Sequence, residues 1–289
     1  MSSGRRSRTC SWPEPECRSP APRSPAPRSP TRSSRRCEVV NLRAFRSLTL
    51  ALATLALRDP TSVSFSLALA PALLVLFGLA LGDAPVPLQD GLAAIDHQLP
   101  AIAAWVFAMT GLFTVPMAVL TRRESGTLRR LQATPLRPVT FVAADVSVHL
   151  VQVLVGLALL FAVGVLAFGA RPTGAPAAIV PAALLGSVAF LALGYGLASV
   201  LPSSRSTLVV GNLLAIPMLF LSGATAPLEV MPQGVRDVAA LNPLHHAVSL
   251  LRGAWLGEPW SGLLVETAAV AGLLVVAAAV AVARFRWEA

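Results

Sequence analysis

Four stretches of this chain contain no Asp, Glu, Lys or Arg, and each is as long as a helix that crosses a lipid bilayer. They cover residues 62–82, 99–121, 172–204 and 206–228. A helix needs about 20 mainly apolar residues to cross the hydrocarbon core, and a helix satisfies the polar groups of its own backbone there. Charged residues make up 13% of the chain, against about 25% in soluble domains. The sequence therefore predicts an all-α integral membrane protein.

Six transmembrane helices are predicted from these stretches and two further apolar runs. Pro71 predicts a kink in the first helix, and the fifth is short for a full crossing and contains Pro217. Together the six helices form a predicted domain over residues 62–289. Their approximate bounds are residues 64–82, 99–120, 142–168, 179–201, 207–221 and 262–283.

The residues before the first span divide into two regions. Residues 1–37 are rich in Arg, Ser and Pro, and such a composition buries too little apolar surface to fold, so we expect a disordered tail. One interpretation of this tail is an arm that binds lipid headgroups or a partner. The other is an unstructured extension that would be absent if translation started near Val39 or Val40. Residues 38–61 place apolar side chains at helical spacing between arginines, which predicts an amphipathic helix in the membrane interface. A signal-like apolar core at residues 48–57 is the alternative.

The arginines predict the orientation of the spans. The loop at residues 83–98 holds three Asp and no Arg, whereas residues 121–138 hold five Arg. Because arginine-rich loops stay on the cytoplasmic side, we expect residues 121–138 in the cytoplasm. Arg205 and Arg284 fall on the same side when the spans alternate. The sequence thus predicts a multi-pass protein of the cell (plasma or inner) membrane with both termini in the cytoplasm.

Every basic residue of the chain is Arg, and there is no Lys. The formal net charge of +9 comes from arginines beside spans or in the tail, so it reflects topology rather than nucleic-acid binding. A P-loop needs its Lys to reach the phosphates of ATP, so an ATP-driven role would need a second polypeptide. We predict no cofactor and assign no role to Cys10, Cys17 and Cys37, whose spacing fits neither a zinc site nor a disulfide framework.

The basic segment at residues 121–138 contains a candidate short helix. Ser125 or Thr127 can cap it, and Pro135 stops it. A helix lying along the membrane and joined rigidly to two spans can convert a push from outside the bilayer into a tilt of those spans. The alternative is an ordinary Arg-rich loop. Its apolar residues at helical spacing are Leu128, Leu131 and Leu136.

The segment contains Glu124-Ser125-Gly126-Thr127-Leu128, followed by Leu131 and Thr134-Pro135-Leu136. These residues resemble the cytoplasmic loop of type 2 ABC exporter permeases, the group that includes daunorubicin-resistance-type drug exporters. In that family a Glu-x-Gly-Thr pattern followed by Leu and Thr-Pro forms the coupling helix, which docks on a separate ATPase subunit. The resemblance implies an ATPase-docking role for Glu124, Ser125, Gly126, Thr127, Leu128, Leu131, Thr134 and Pro135.

A second constellation lies between the fifth and sixth spans, in residues 222–260. Its two apolar segments, residues 235–241 and 246–256, are each too short to cross a bilayer, and Pro243 prevents one uninterrupted helix. This predicts an external re-entrant or interfacial helical hairpin. It is similar to the external helices of the same permease family, which close the outer mouth of the pathway. The resemblance implies external gate residues Pro227, Pro232, Asn242, Pro243 and Arg252.

Several polar residues lie inside the apolar runs. Asp145 and His149 are one helical turn apart and can pair or share a metal, but without a third ligand an interfacial polar pair is the simpler interpretation, and we predict no metal. Glu266 lies near the outer end of the sixth span and is a functional candidate. The predicted pathway-lining residues are Thr110, Thr114, Tyr195 and Ser199.

The resemblance implies a non-catalytic permease subunit of an exporter, for efflux of a hydrophobic or amphipathic substrate such as a drug, an antibiotic or a lipid-like molecule. Antibiotic resistance is one expected outcome. The implied partners are a separate ABC ATPase subunit, membrane lipid and a second permease subunit in a homodimer or heterodimer. A polysaccharide- or lipid-exporting permease is the first alternative. An intramembrane enzyme or an ion-coupled secondary transporter would need convergent polar groups within the spans.

Overall fold

A helix occupies each of the six predicted spans. The computed structural model describes residues 42–58, 60–81, 94–127, 138–223 and 232–284, and the regular elements in these residues are all helices. This confirms the predicted all-α fold, while the predicted tail at residues 1–37 lies outside the described residues. The helices are α1 Leu42–Arg58, α2 Pro60–Leu81, α3 Ala94–Met109, α4 Val115–Glu124, α5 Pro138–Phe168, α6 Pro176–Val200, α7 Ser204–Phe220, α8 Gln233–Ala239, α9 Pro243–Leu256 and α10 Leu264–Arg284.

Four helical segments are long and apolar enough to cross a membrane, judged by length and composition. They are Ile95–Glu124, Thr140–Phe168, Pro176–Val200 and Leu264–Arg284. The first and fifth predicted spans correspond to α2 and α7, whose apolar segments are shorter. Helix α7 has 17 residues, which extend about 26 Å at 1.5 Å per residue, slightly less than the hydrocarbon core of about 30 Å.

Helix α3 lies at the centre of the packed helices. In the most apolar part of the segment Ile95–Glu124, which begins with α3, 67% of the residues are buried, whereas the value in α10 is 11%. Helix α3 packs against α2, α5 and α9, and four of its buried residues are alanines. Small side chains let helix backbones approach closely, which is how helices gain packing energy inside lipid. These residues are Ala101, Ala103, Ala104 and Ala108, with Phe107 beside them.

A π-helical turn, Thr110–Thr114, joins α3 to α4 within one continuous helical segment. Helix α6 lies directly against this turn, since a Cβ atom added to Gly194 would come 2.8 Å from both the Gly111 carbonyl oxygen and Val115 Cβ. A Cβ atom on Gly111 would in turn overlap the Phe190 carbonyl oxygen. The two glycines therefore set the distance between α6 and the π-helical turn.

Helix α1 uses its apolar face within the protein. Phe45, Leu48 and Leu52 pack against Phe141 and Ala144 near the start of α5. The helix ends at Arg58. The helical character of this segment is confirmed, and its position in the membrane interface stays a prediction.

Two ends of the helical bundle are used below. At the first, which we call the α4 end, α4 stops at Glu124 and α7 begins at Ser204. At the second, the hairpin end, α7 stops at Phe220 and the two short helices α8 and α9 follow.

We predict that Gly194→Ala lowers the stability of the protein by about 1–3 kcal/mol, because the added methyl group forces α6 away from the π-helical turn. The measurement is thermal unfolding in detergent. Gly272→Ala in α10 is the matched control, since nothing lies within 4 Å of its added Cβ atom and alanine favours a helix by up to about 1 kcal/mol. Equal melting temperatures for the two variants would contradict the close-approach argument.

Candidate functional site

Three consecutive charged residues end α4, and each bonds to a different part of the chain. Arg122 contacts α5, Arg123 contacts the end of α6, and Glu124 contacts the start of α7. The sequence analysis grouped Glu124 with the predicted ATPase-docking residues and explained the two arginines by membrane topology. We call residues 122–137 the docking segment. The structure places all three at the junction of four helices.

Arg122 forms an ion pair with a fully buried carboxylate. Its Nη1 atom lies 2.6 Å from Asp145 Oδ1, and the Asp145 side chain has no solvent-exposed area. The Tyr195 hydroxyl donates to the other oxygen, Oδ2, at 2.6 Å. A buried carboxylate is tolerated only when it is paired and hydrogen-bonded. Asp145 therefore ties α4, α5 and α6 together, and we call these three residues with His149 the Asp145 network.

His149 completes the network from one turn further along α5. Its Nδ1 atom lies 2.9 Å from the Asp145 carbonyl oxygen, and because a carbonyl oxygen only accepts, Nδ1 carries the proton. The sequence indicated the polar pair of Asp145 and His149 but missed Arg122 and Tyr195 as its partners. Within the described residues no group of three or more His, Cys, Asp or Glu side chains is arranged to hold a metal ion.

Arg123 caps the C-terminal end of α6. Its Nη2 atom donates to the carbonyl oxygens of Leu201 at 3.0 Å and Pro202 at 2.9 Å. The last carbonyl groups of a helix have no partner within the helix and carry partial negative charge. The Arg123 guanidinium group binds the carbonyl group of the C-cap residue Leu201 and that of Pro202, and so holds α4 beside the end of α6.

Glu124 binds the N-terminal end of α7 with both carboxylate oxygens. The Ser204 backbone N–H donates to Oε1 at 2.7 Å, and the Ser204 hydroxyl donates to Oε2 at 2.8 Å. The first N–H groups of a helix lack partners within the helix, and a negative charge beside them is favourable. Although the Glu124 side chain is exposed, both of its carboxylate oxygens accept hydrogen bonds from within the chain.

The residues after Glu124 form the turn that ends α4. The Ser125 hydroxyl donates to the Arg122 carbonyl oxygen at 3.1 Å and lies 2.9 Å from the Thr127 hydroxyl oxygen. Gly126 has φ +69° with open space around it, so glycine is needed there for its backbone conformation. Four predicted docking residues, Leu128, Leu131, Thr134 and Pro135, lie outside the described residues, and the docking helix stays a prediction.

At the hairpin end, α8 and α9 are separate short helices on the two sides of Asn242-Pro243, as the sequence predicted. The Asn242 Oδ1 atom accepts from the Leu244 N–H at 3.0 Å, and its Nδ2 atom donates to the Met218 carbonyl oxygen at 2.7 Å. Pro243 is the first residue of α9, where a proline needs no N–H partner. One side chain thus caps α9 and holds it against α7.

The other predicted gate residues lie in different places. Arg252 Nη2 donates to the Gly223 carbonyl oxygen at 3.5 Å, while Pro232 is exposed immediately before α8. Pro227 lies outside the described residues. The gating role and the outer location of this hairpin stay predictions.

Sequence reasoning missed a second buried carboxylate, Asp96, at the start of α3. Its Oδ1 atom accepts from the Arg171 backbone N–H at 3.0 Å and from Trp255 Nε1 at 3.3 Å. The Trp255 ring stacks on Phe161 with centroids 5.3 Å apart. A buried Trp usually finds an acceptor for its N–H group. Trp255 in an otherwise apolar segment could therefore have indicated a buried acceptor such as Asp96. Asp96 joins the end of α9 to α3 and to the α5–α6 connection.

The four predicted pathway-lining residues differ in burial, and their role stays a prediction. Thr110 is buried and its hydroxyl donates to the Val106 carbonyl oxygen at 2.9 Å, and Tyr195 belongs to the Asp145 network. Ser199, half-buried, donates to the Gly196 carbonyl oxygen at 2.6 Å, and Thr114 is half-buried in the π-helical turn. Glu266 is half-buried, and its Oε2 atom has no hydrogen-bond partner among the described residues.

Comparison with known proteins places this arrangement among transport proteins. The family described as ABC-2 type transporter matches residues 43–256. Nodulation protein J of Rhizobium leguminosarum bv. viciae is 31% identical over 106 residues, which are 37% of this chain and 41% of that protein. The putative transport permease ycf38 of Porphyra purpurea is 27% identical over 190 residues, 65% of each chain.

A third relative is the inner membrane transport permease YhhJ of Escherichia coli K12. It is 30% identical over 182 residues, which are 60% of this chain and 46% of that protein. In each of these three alignments the chain spans less than two thirds of the relative's length.

Removing the Tyr195 hydroxyl tests the Asp145 network. We expect Tyr195→Phe to lower stability by about 1–3 kcal/mol, because one oxygen of a buried carboxylate loses its donor. Thermal unfolding in detergent measures the change. Ser199→Ala, which removes a hydroxyl from the same helix, serves as the control and should change stability by less than about 0.5 kcal/mol. A Tyr195→Phe variant as stable as this control would show that the Tyr195 hydroxyl contributes nothing to the stability of the network.

The hairpin end should respond to pH through His245. Its Nδ1 atom lies 3.2 Å from the Ser222 carbonyl oxygen. Burial lowers the pKa of this half-buried histidine below its ordinary value of 6.5, and the nearby His246 and Arg252 add to that. Because the unfolded chain binds the proton more readily, stability should fall as the pH drops below about 6.5.

The variant His245→Asn retains a donor for the Ser222 carbonyl oxygen and does not titrate. We expect the wild type to lose more thermal stability than this variant between pH 7 and pH 5, measured as the difference between their melting temperatures. Parallel losses in the two proteins would rule out His245 as the source.

Proposed function

Because the chain belongs to the ABC-2 type transporter family, we propose that it is the membrane-spanning permease subunit of an exporter driven by a separate ATPase subunit. The observation that carries this proposal is the family match over residues 43–256, which includes both the docking segment and the α8–α9 hairpin. Relatives that match the chain are named transport permeases. The chain itself is the non-catalytic subunit.

The energy for transport comes from another polypeptide. This chain contains no Lys, so it has no P-loop of its own. The ATPase subunit docks on residues 122–137, between α4 and α5. Support for this location comes from the three residues at the end of α4, since their bonds to α5, α6 and α7 make the segment's first attachment stiff.

The α4 end faces the cytoplasm, and both termini lie on that side of the cell membrane. Arg122 and Arg123 lie at this end, exposed Arg205 follows the start of α7, and exposed Arg284 ends α10. An arginine excess on one side of a set of spans is typical of the cytoplasmic side. The hairpin end, which carries Asp96, then faces outward.

A second permease subunit completes the transporter as a homodimer or heterodimer. Large apolar side chains remain exposed along α7 and α10, where lipid or the second subunit covers them. They include Val209 at 67%, Leu213 at 71%, Val265 at 68% and Val282 at 85% exposure. The pathway forms between the two subunits, which is consistent with Thr110 and Tyr195 being buried within a single one.

The substrate is hydrophobic or amphipathic and moves outward from the cytoplasm or the inner leaflet, as in the efflux of a drug, an antibiotic or a lipid-like molecule. The apolar character of the spans supports this choice, because within the four membrane-length segments the charged side chains lie at or near the helix ends, apart from Asp145, whose partners are within the chain. Export of a polysaccharide or lipid by the same type of permease is the alternative.

Docking is tested with the tagged full-length chain purified from its native membranes. We expect an ABC ATPase to copurify in equal amounts, and Leu131→Asp to reduce the copurified ATPase at least about tenfold, because a charge replaces an apolar docking residue. The matched control is Leu241→Asp, at an exposed position in the hairpin, which should leave the amount unchanged.

A transport assay tests energy coupling. In inverted membrane vesicles that contain the chain and its ATPase, we expect the fluorescent probe daunorubicin to accumulate only when ATP is present, and to accumulate also in the presence of an uncoupler. Where the probe is not accepted, the measurement is ATP hydrolysis by the purified complex, which an uncoupler should not change. Absence of any copurified ATPase from the wild type, or accumulation that needs a proton gradient and no ATP, would overturn the proposed function in favour of a secondary transporter.

A further inference from the structure

We propose that α7 links the docking segment mechanically to the α8–α9 hairpin, with Ser204 as the positioning residue that receives the displacement. This inference rests on the proposed function, because it describes how movement of the docking segment reaches the opposite end of the protein. It follows from three places where α7 is held and from the little contact it makes elsewhere.

The first attachment joins α7 to the docking segment. Both oxygens of the Glu124 carboxylate are bonded to the single residue Ser204, which is the first residue of α7. Arg123 holds the two preceding carbonyl groups of the α6–α7 connection. Because Glu124 is itself a residue of the docking segment, a displacement of that segment moves the start of α7 through two short bonds.

The second attachment lies halfway along α7. A Cβ atom on Gly211 would come 2.6 Å from Phe113 Cε1 and 3.0 Å from Phe113 Cδ1. The Phe113 ring belongs to the π-helical turn between α3 and α4 and presses against the α7 backbone where no side chain intervenes. A π-helical turn within an α-helix frequently marks a functional position. This contact forms a fulcrum, since it supports α7 at its middle while both ends extend beyond it.

The third attachment joins the other end of α7 to the hairpin. Asn242 Nδ2 donates to the Met218 carbonyl oxygen at 2.7 Å, and His245 Nδ1 lies 3.2 Å from the Ser222 carbonyl oxygen. Asn242 also caps α9. A change in the position of Met218 is therefore passed directly to the start of α9.

Between these attachments α7 is poorly enclosed. Val209, Leu213 and Ile216 are 67%, 71% and 57% exposed, and among the described helices α7 makes its main contacts with α4 and the π-helical turn. An element with few buried contacts moves at low free-energy cost. Helix α7 remains helical through Pro217, near its hairpin end, so a tilt at Ser204 is carried to Met218. Helix α7 thus has the properties of a lever.

The test removes the first attachment without touching the docking segment. Ser204→Pro removes both donors to Glu124, the backbone N–H and the hydroxyl. Proline is compatible with the first position of a helix, and the preceding Ser203 already has the extended conformation that a following proline requires, with φ −149° and ψ 159°. Ser204→Ala removes the hydroxyl alone, and Ser204→Thr retains both donors.

The readout is the reactivity of a cysteine at the hairpin end. Cys10, Cys17 and Cys37 are replaced by Ser, and Leu241→Cys is introduced in the turn between α8 and α9, where Leu241 is 84% exposed. The full complex with its ATPase is labelled with a membrane-impermeant maleimide, with and without ATP. We expect ATP to change the labelling rate in the wild-type background.

Ser204→Pro should reduce this ATP response about two- to thirtyfold, the range for mutations that weaken coupling between sites, while the ATPase still copurifies. Ser204→Ala should give a smaller reduction and Ser204→Thr the full response. Ser206→Ala is the matched control: it removes a hydroxyl contact with Ser203 in the same turn, leaves Glu124 bonded, and should keep the full response.

Two results would overturn the inference while leaving the proposed function intact. One is an unchanged ATP response in Ser204→Pro with its ATPase bound. The other is loss of ATPase binding in both Ser204→Pro and Ser204→Ala, which would assign Ser204 to docking. If Ser204→Pro elutes as an aggregate in size-exclusion chromatography, the test compares the ATP responses of Ser204→Thr and Ser204→Ala. Equal responses in these two variants would also contradict the inference. A wild-type complex that lacks an ATPase would instead refute the proposed function.

Discussion

The arrangement of the spans depends on a carboxylate that has no access to water. Asp145 lies within a helix long enough to cross a membrane and has no exposed area. An isolated charge there would be strongly unfavourable, so its partners have to stay within hydrogen-bond distance. Because Arg122 comes from α4 and Tyr195 from α6, one electrostatic requirement fixes three helices. Apolar packing inside lipid is far less selective, since side chains of neighbouring helices and lipid chains are almost equally apolar.

The end of α4 extends this requirement beyond the network. Arg122 pairs with a buried charge, Arg123 binds two carbonyl groups directly after α6, and Glu124 binds the N–H and the hydroxyl of the first residue of α7. The three side chains leave one helix end in three directions and meet three different chemical needs. These three residues are the first of the proposed docking segment, residues 122–137, so whatever binds to it acts on a point already joined to three helices.

The sequence predicted the helices well and their polar contacts poorly. Charge-free runs fix where a chain crosses a membrane, and the Asn242-Pro243 break and the helical spacing before Asp59-Pro60 are local signals that the structure confirms. The polar contacts join residues far apart in the chain: Arg122 and Asp145 are 23 positions apart, Glu124 and Ser204 are 80, and Asp96 and Trp255 are 159. No periodicity encodes such pairs. Arginines and aspartates near spans also have a sufficient explanation in topology, which hid their second role.

The π-helical turn at Thr110–Thr114 has a consequence for the direction in which the side chains of α4 point. A π-helical turn holds one residue more than an α-helical turn, so every side chain after it is rotated by about 100° relative to an uninterrupted helix. Helix α3 therefore presents its small residues to the core on one azimuth, and α4 presents Arg122, Arg123 and Glu124 on another. If the same residues formed an uninterrupted α-helix, Arg122, Arg123 and Glu124 would be rotated together by about 100°, away from Asp145, Leu201 and Ser204. The phase that the π-helical turn gives to α4 is as much a determinant of this junction as the chemistry of its side chains.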